Sequence, residues 1–377
     1  MVTFAQSPRS TLGVEWELAL VDAQTLDLVP RAGEVLDRLA ESPRAKSAVV
    51  GEMLTNTVEV VSGVHTRVAD AVGDLDETIA ELSGVLGAQG LRAMSAGTHP
   101  FAKWQNQEVT DKERYAELIN RTQWWGRHML IFGVHTHVGI DSREKVLPIL
   151  NSLLRYVPHL QAVSASSPFW SATDTHYASN RAMMFQQLPT AGLPFQFSNW
   201  SEYEKYVSDM RHTGVIDEIN EIRWDIRPSP GWGTIEVRVC DGLPTSAEVA
   251  AVTAFVQCVV DDLSERLDHG ETLPTMPNWF HVENKWRAAR YGMDAIIIEN
   301  AAAEERLVTE VIADEVARLA PVAQRLGCEA ELAAMDDFAS IGASYQRQRA
   351  RFAQTESLTE VARLLVDEFS AGRPLGG

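Results

Sequence analysis

Thr11-Leu12-Gly13-Val14-Glu15-Trp16-Glu17-Leu18-Ala19-Leu20-Val21 reads as a β-strand, and its charged residues say what kind. Side chains two apart on a strand project to one face, so Glu15 and Glu17 share a surface while their apolar neighbours pack behind it. Gly133-Val134-His135-Thr136-His137 and Thr234-Ile235-Glu236-Val237-Arg238 repeat the device, pairing His135 with His137 and Glu236 with Arg238. Glu52 and Glu59 add carboxylates at a looser spacing. A regular strand would send those two to opposite faces, so both reach one surface only through a bulge, or if Glu52 lies before the strand. A sheet face carrying carboxylates, imidazoles and an arginine is costly unless it meets water, a cation or a phosphate. The pattern points to a metal and nucleotide site on a sheet floor.

Outward from these strands, the first third alternates strand-like and helix-like segments. Gly33 to Glu41 and Val68 to Gln89 have helical spacing, the latter with Val72, Leu75, Ile79, Leu82 and Leu86 on one side. Met53 to Ser62 and Leu91 to Ala96 read as strands. In the middle, Lys112 to Ile119 and Val146 to Val157 look helical around a strand from Leu130 to Ile140. Trp224 to Val239 holds two strand-like pieces. Between Ser166 and Trp200 Pro168, Pro189, Gly192 and Pro194 break the pattern, as in a binding loop or lid. From Ser246 the chain is mostly helical, with helices to about Leu267, from near Asp294, from near Val308, and from about Leu358 to Phe369. Early strands and late helices favour an α+β fold in one domain over residues 1–377, with an ordered core of about 10–370.

The 377 residues carry 33 basic and 52 acidic side chains, a formal charge of −19, which argues against nucleic-acid or anionic-membrane partners. Cys240, Cys258 and Cys328 lie far apart along the chain with no Cys-x-x-Cys spacing, fitting a reducing cytoplasm. The N-terminus has no apolar signal core, and the most apolar stretch, Val249 to Val260, is too short to span a bilayer. We expect a soluble cytoplasmic protein, with homo-oligomerisation left open.

No Gly-Lys pair occurs, hence no P-loop, and no G-x-G-x-x-G, G-x-S-x-G or H-E-x-x-H. Phosphates of a bound nucleotide would therefore be held through metal ions and scattered cations. Carboxylate oxygens suit Mg²⁺, and Glu15, Glu17, Glu52, Glu59 and Glu236 supply enough for more than one ion, with His135 adding a nitrogen. Each pair alone has a plainer reading. Glu15 and Glu17 could be the wet face of an edge strand, His135 and His137 hydrogen-bonded structural histidines, and Glu236 with Arg238 a same-face ion pair. Arg287 and Arg290, one helical turn apart, could meet an anionic substrate or pair with surplus surface carboxylates.

The combination resembles the glutamate–cysteine ligases. Gly13 to Glu17, Glu52 with Glu59, Gly133 to Gly139, and Gly233 to Arg238 occur in that family's order. Gly97-Thr98-His99-Pro100-Phe101, Asn180-Arg181, Leu188-Pro189-Thr190-Ala191-Gly192, Trp224-Asp225-Ile226-Arg227-Pro228 and the Glu283-Asn284 to Gly292 block narrow it to what looks like the bacterial type-2 branch, the carboxylate–amine ligases. The resemblance runs from about residue 10 to residue 370. It implies a glutamine-synthetase-like fold, a curved antiparallel sheet forming a funnel with helices outside. It implies an ATP-dependent ligase that phosphorylates a carboxylate and lets an amine displace phosphate, with glutamate and cysteine the nominal substrates and Mg²⁺ or Mn²⁺ as metal. By motif match Glu15, Glu17, Glu52, Glu59, His135 and Glu236 look like metal-site residues, and Arg238, with Glu236, faces the transferred phosphoryl group. His137, Asn180, Arg181, Arg227, Arg287 and Arg290 are candidate substrate- or nucleotide-binding residues. The rivals are a ligase for another acid and amine, a phosphagen-type kinase, and a metal-binding module without turnover.

Overall fold

The computed structural model describes residues 2–375. Its main sheet consists of β1 (Leu12–Asp22), β2 (Val49–Gly51), β3 (Thr57–Val61), β4 (Leu91–Met94), β5 (Gly133–Gly139), β6 (Ile226–Ser229) and β7 (Thr234–Asp241). The order is β2-β3-β1-β5-β7-β6, all antiparallel, with β4 lying beside the second half of β1. The long β1 makes this possible: Leu12 to Trp16 pair with β5 and Ala19 to Asp22 pair with β4.

Alternation sorts the two faces. Val14, Trp16, Leu18, Val58, Val60, Val134, Val138, Ile235 and Val237 are all buried. They pack against a helical layer that includes Val68–Gly87, Arg143–Leu153 and Ser246–Asp268. The last of these is apolar nearly all round because it is buried nearly all round. At its polar interruption, Gln257, Nε2 donates to the carbonyls of Ser10 and Thr66, at 2.8 and 3.0 Å.

Register brings the other face's residues into rows. Glu17 lies opposite Glu59 and Glu15 opposite His135, while His137 and Arg227 both lie opposite Glu236. Between β5 and β7 the pairing steps from Val134–Cys240 to Thr136–Val237. Two residues, Arg238 and Val239, therefore face the single His135, which is a β-bulge.

The structure corrects several local expectations. The strand expected from Met53 to Ser62 begins only at Thr57, and Glu52 follows a separate edge strand, β2. No helix starts at Asp294: Asn278–Tyr291 is the helix, and Ile296–Ile298 pairs with Glu305–Leu307, as three consecutive β-branched residues favour. The 166–200 stretch contains a two-stranded turn, Phe169–Trp170 with Thr173–Asp174, and a short helix, Asn180–Phe185. Cys258 and Cys328, distant in sequence, meet with their Sγ atoms 3.6 Å apart, both buried and free. Among the described residues no helix is long and apolar enough to cross a membrane.

Candidate active site

The three i, i+2 pairs converge. His135 Nδ1 lies 2.9 Å from Glu15 Oε2, and His137 Nε2 lies 3.2 Å from Glu15 Oε1. His137 Nδ1 meets Thr234 Oγ1 at 2.9 Å. Glu236 accepts from Arg227 Nε at 2.7 Å and Nη2 at 3.2 Å, and also from Arg238 Nη1. Arg238 is held at the bulge through its backbone N–H, which donates to Asp225 O at 2.8 Å. These contacts divide the floor. Toward β6 and β7 every charge has an opposite partner; toward β2 and β3, Glu17, Glu52 and Glu59 crowd together, and among the described residues none of the three forms an ion pair.

The electrostatics follow that division. Burial, and then the nearby Glu52, pushes Glu17 up to about 7 against the pull of Arg181, Arg238 and the Gly133 N–H. Burial followed by repulsion from Glu15, Glu52 and Glu17 raises Glu59 well above the carboxylate range, and burial raises Glu52. On the other side, burial would raise Glu15, but hydrogen bonds to His135 and His137 hold it below its ordinary value. Burial is likewise outweighed at Glu236, held low by Arg238 and Arg227. Burial, then Arg238, lowers His135 to about 4, so its imidazole is neutral at pH 7. A Glu15 carboxylate oxygen 2.9 Å from Nδ1, closer than Arg238 Nη1 at 3.4 Å, assigns the ring proton to that nitrogen, and the buried Nε2 has no partner.

That orphaned nitrogen fits a cation. Neutral imidazole held through one nitrogen by a carboxylate, with the other nitrogen free, is the usual arrangement of a metal-binding histidine. Glu17, Glu59 and His135 bring ligand atoms within 4.8 Å of one another, as do Glu15, His135 and Glu236. An oxygen-rich donor set of this kind suits Mg²⁺ or Mn²⁺ better than zinc. Glu236 is the least free of the six, since both of its oxygens already accept from arginine.

Arg181 joins the floor from above. Its guanidinium crosses the face of Gly133, where an added Cβ would sit 2.2 Å from Nη2, so a side chain there would push the guanidinium aside. Arg181 makes only long contacts of 3.4 to 3.5 Å to the carbonyls of Arg238 and Val239, and its Nε and the Nδ2 of Asn180 are buried without partners. The expected pair on the Asn278–Tyr291 helix stands apart from this floor. Arg287 is tied to Glu283 at 2.8 Å and Glu305 at 2.5 Å, and Arg290 donates to His176 O beside Tyr177 and Tyr291. Neither forms an ion pair with a sheet carboxylate among the described residues.

Several contributors escaped the sequence. Arg114, whose charge bears on Glu52, and Tyr115, to which it donates at 2.5 Å, border the acidic side from the start of the Glu113–Thr122 helix. Asp241, at the end of β7, accepts from Ser166 N at 3.0 Å, Ser167 Oγ at 2.6 Å and Ser179 Oγ at 2.8 Å. It thereby clamps the first half of the 166–200 stretch. Gly97 makes room for it, since a Cβ there would lie 2.5 Å from Asp241 Oδ2. His99 in the same motif is structural, bonded to Leu26 O at 2.9 Å and accepting from Ala102 N at 3.0 Å. Lone residues such as these carry no periodic signal.

Known proteins were compared with the chain as a whole. The sequence pattern of glutamate-cysteine ligase family 2 (GCS2) matches residues 11–365. A protein of Mycobacterium ulcerans, provisionally named glutamate–cysteine ligase 2, is 58% identical over 348 residues, covering 92% of this chain and 88% of its own. A Mycobacterium tuberculosis protein of the same name is 58% identical over 347 residues, covering 92% and 91%. Among solved structures, a glutamate–cysteine ligase from Francisella tularensis in complex with AMP superposes with a TM-score of 0.72 at 12% identity, covering 97% of this chain and 90% of its own. A bifunctional glutathione synthetase from Pasteurella multocida superposes with a TM-score of 0.69 at 14% identity, covering 96% and 52%. The two structures share the fold, an antiparallel sheet beneath helices.

Proposed function

The chain belongs to glutamate-cysteine ligase family 2, and on that premise we propose that it joins a carboxylic acid to an amine at the expense of ATP, with glutamate and cysteine the nominal pair. One observation carries the reading: an acidic cluster without ion-pair partners and a preorganised arginine share one sheet floor, and a bound cation with an anionic ligand would satisfy both. The substrate names come from those of the relatives; the chemistry comes from the floor.

A carboxylate resists attack by an amine because its leaving group would be oxide. Its oxygen therefore attacks the γ-phosphorus of ATP first, the bond to ADP breaks, and an acyl phosphate results. A deprotonated amine nitrogen then attacks the acyl carbon and inorganic phosphate leaves. Magnesium or manganese, held by Glu17, Glu52, Glu59 and His135 and by Glu15 with Glu236, would draw charge off the phosphates and align them. Arg238, fixed by Glu236 and the bulge, presents a guanidinium fork to the moving phosphoryl group, so most of its reorganisation is complete before reaction. Arg181 and Asn180 offer unpaired donors to the substrate carboxylate from the clamped loop. A water-excluding cover is confined to the more exposed second half of the 166–200 stretch, around Gln187 and Phe195 to Asn199.

The test is coupled ADP release over a panel of acids and amines with Mg·ATP. The ligase reading predicts ADP only when acid and amine are both present, with an amide product by mass. ADP from one acceptor and no amide would make the protein a phosphagen-type kinase. No ADP under any pairing would leave a metal-binding module.

A further inference from the structure

Lys285 and Asp225 form a buried ion pair of 2.5 Å, with both side chains nearly inaccessible. Neither touches the sheet carboxylates. Lys285 extends from the buried face of the Asn278–Tyr291 helix, and Asp225 immediately precedes β6. The position of Asp225 is unusual because its three polar groups face three different elements. Its carboxylate takes Lys285 Nζ, its N–H donates to Gly192 O at 2.8 Å, and its C=O accepts from Arg238 N at 2.8 Å.

That last bond extends the β6–β7 pairing one step past Ile226–Val237, at the point where the bulge takes Arg238 out of the regular β5–β7 ladder. The aim of the Arg238 guanidinium depends on that backbone position. Asp225 holds the β6 side of the bulge, and is itself anchored laterally by a lysine on a different layer.

We propose that Lys285, acting through Asp225, is a positioning residue for Arg238: a strut that sets the bulge and so aims the guanidinium at the phosphoryl group. The proposal rests on the ligase reading above. A buried ion pair is a weak source of net stability, because desolvating both charges costs about as much as their attraction returns. Its effect here is geometric. Breaking it should loosen the Arg238 amide while leaving the nucleotide-binding carboxylates in place.

The experiment compares wild type, Lys285→Met, Lys285→Gln and the double variant Lys285→Met/Asp225→Leu for kcat, KM for ATP and Tm. Wild-type turnover tests the ligase reading by itself; the ratios between variants test the strut. For Lys285→Met we expect kcat to fall by about tenfold or more with KM for ATP changed less than about twofold, the split expected when an interaction of the transition state is lost. Lys285→Gln, which keeps a donor, should recover part of that kcat. The double variant, with no charge left unpaired, should regain Tm but not kcat. A purely structural pair would instead have kcat follow Tm downward in the single variants and back up in the double. That result, or unchanged kcat in Lys285→Met, would overturn the proposal. Hydrogen exchange reads the same idea without turnover: the Arg238 amide should be protected in wild type and lose protection in Lys285→Met while Val237 keeps its own. Equal protection of Arg238 in both proteins would also overturn it.

Discussion

Two buried ionic clusters in this protein are built on opposite principles. In one, Arg347 bridges Glu368 through Nε at 2.7 Å and Nη2 at 3.0 Å, reaches Glu248 at 2.9 Å, and donates from Nη1 to Gly342 O at 2.6 Å. Thr245 Oγ1 donates to the remaining Glu248 oxygen at 2.8 Å. Every guanidinium nitrogen of Arg347 donates, and the cluster ties the start of the Ser246–Asp268 helix to the Ser344–Thr355 and Leu358–Ala371 helices. In the other, on the sheet floor, His135 Nε2, Arg181 Nε and Arg238 Nε are buried without partners, and Glu17, Glu52 and Glu59 lack cations. A closed cluster fixes structure. An open one is paid for elsewhere in the fold and waits for a ligand.

If the contrast is sound, mutation should separate the two cleanly. The largest effect belongs to Arg238→Lys, which keeps charge but loses the planar fork. We expect kcat to fall about a hundredfold or more, the scale of losing one preorganised electrostatic contact, with ATP-analogue affinity nearly unchanged. Weak nucleotide binding with normal turnover at saturation would make Arg238 a ground-state anchor instead. Glu236→Gln should be comparably damaging to turnover while preserving the fold, since Gln keeps the volume but releases both arginines; near-normal ADP production at limiting Mg²⁺ would remove Glu236 from the site.

Next comes the closed cluster. Glu368→Gln should lower stability by about 3–5 kcal/mol, the cost of breaking a buried ion pair from one side, and leave kcat of the folded protein within about twofold. Denaturant titration beside kinetics checks this. A kinetic effect without a stability effect would erase the distinction between the clusters. Glu59→Gln should do the reverse, raising the stability of the metal-free chain and weakening its dependence on Mg²⁺.

A smaller effect is expected with pH. Glu17 and Glu59 hold their protons more tightly when folded than when unfolded, so the folded state binds more protons and stability falls as pH rises. For Glu17 the window runs from the ordinary value of 4.5 to about 7. Without metal, the Tm of the wild type should fall relative to that of Glu17→Gln/Glu59→Gln from pH 5 to pH 8, a difference in which the opposite contribution of buried neutral histidines such as His135 cancels, and saturating Mg²⁺ should flatten it. Glu15 and Glu236, held low, act only at the acid end, where stability is lost as pH drops below 4.5. A metal-free wild-type Tm that rises relative to the variant's over pH 5–8 would contradict the electrostatic account. Smallest of all, Arg287→Ala should change turnover and stability little, because its partners Glu283 and Glu305 are exposed.

How much of this was legible follows from which signals are periodic. Glu15 with Glu17, His135 with His137, and Glu236 with Arg238 were readable because a strand writes its faces at every second residue. Their convergence depended on register, which no single segment carries. Glu52 and Glu59 illustrate the middle case: the seven-residue offset ruled out one regular strand, and the structure answers with Glu52 just after β2 and Glu59 within β3. Arg114, Asp225, Asp241 and Lys285 were not assigned roles, since an isolated charge in a loop or helix looks alike whether it faces water or a partner. Arg287 and Arg290 show the converse, a helical spacing that invited a ligand and found surface acid and a loop carbonyl.

The central claim is that a cation completes the open cluster, and proton release on binding tests it most directly. Glu17 and Glu59 must give up protons to bind Mg²⁺, so calorimetric titration of the ion with a non-hydrolysable ATP analogue at about pH 6.5, in buffers of different ionisation enthalpy, should show net proton release. Because the analogue's own phosphates also contribute, the same titration of Glu17→Gln/Glu59→Gln serves as the reference. The account predicts greater release in wild type than in the double variant, together with weaker ion binding in the variant. Equal affinity and equal proton release in the two proteins would contradict it.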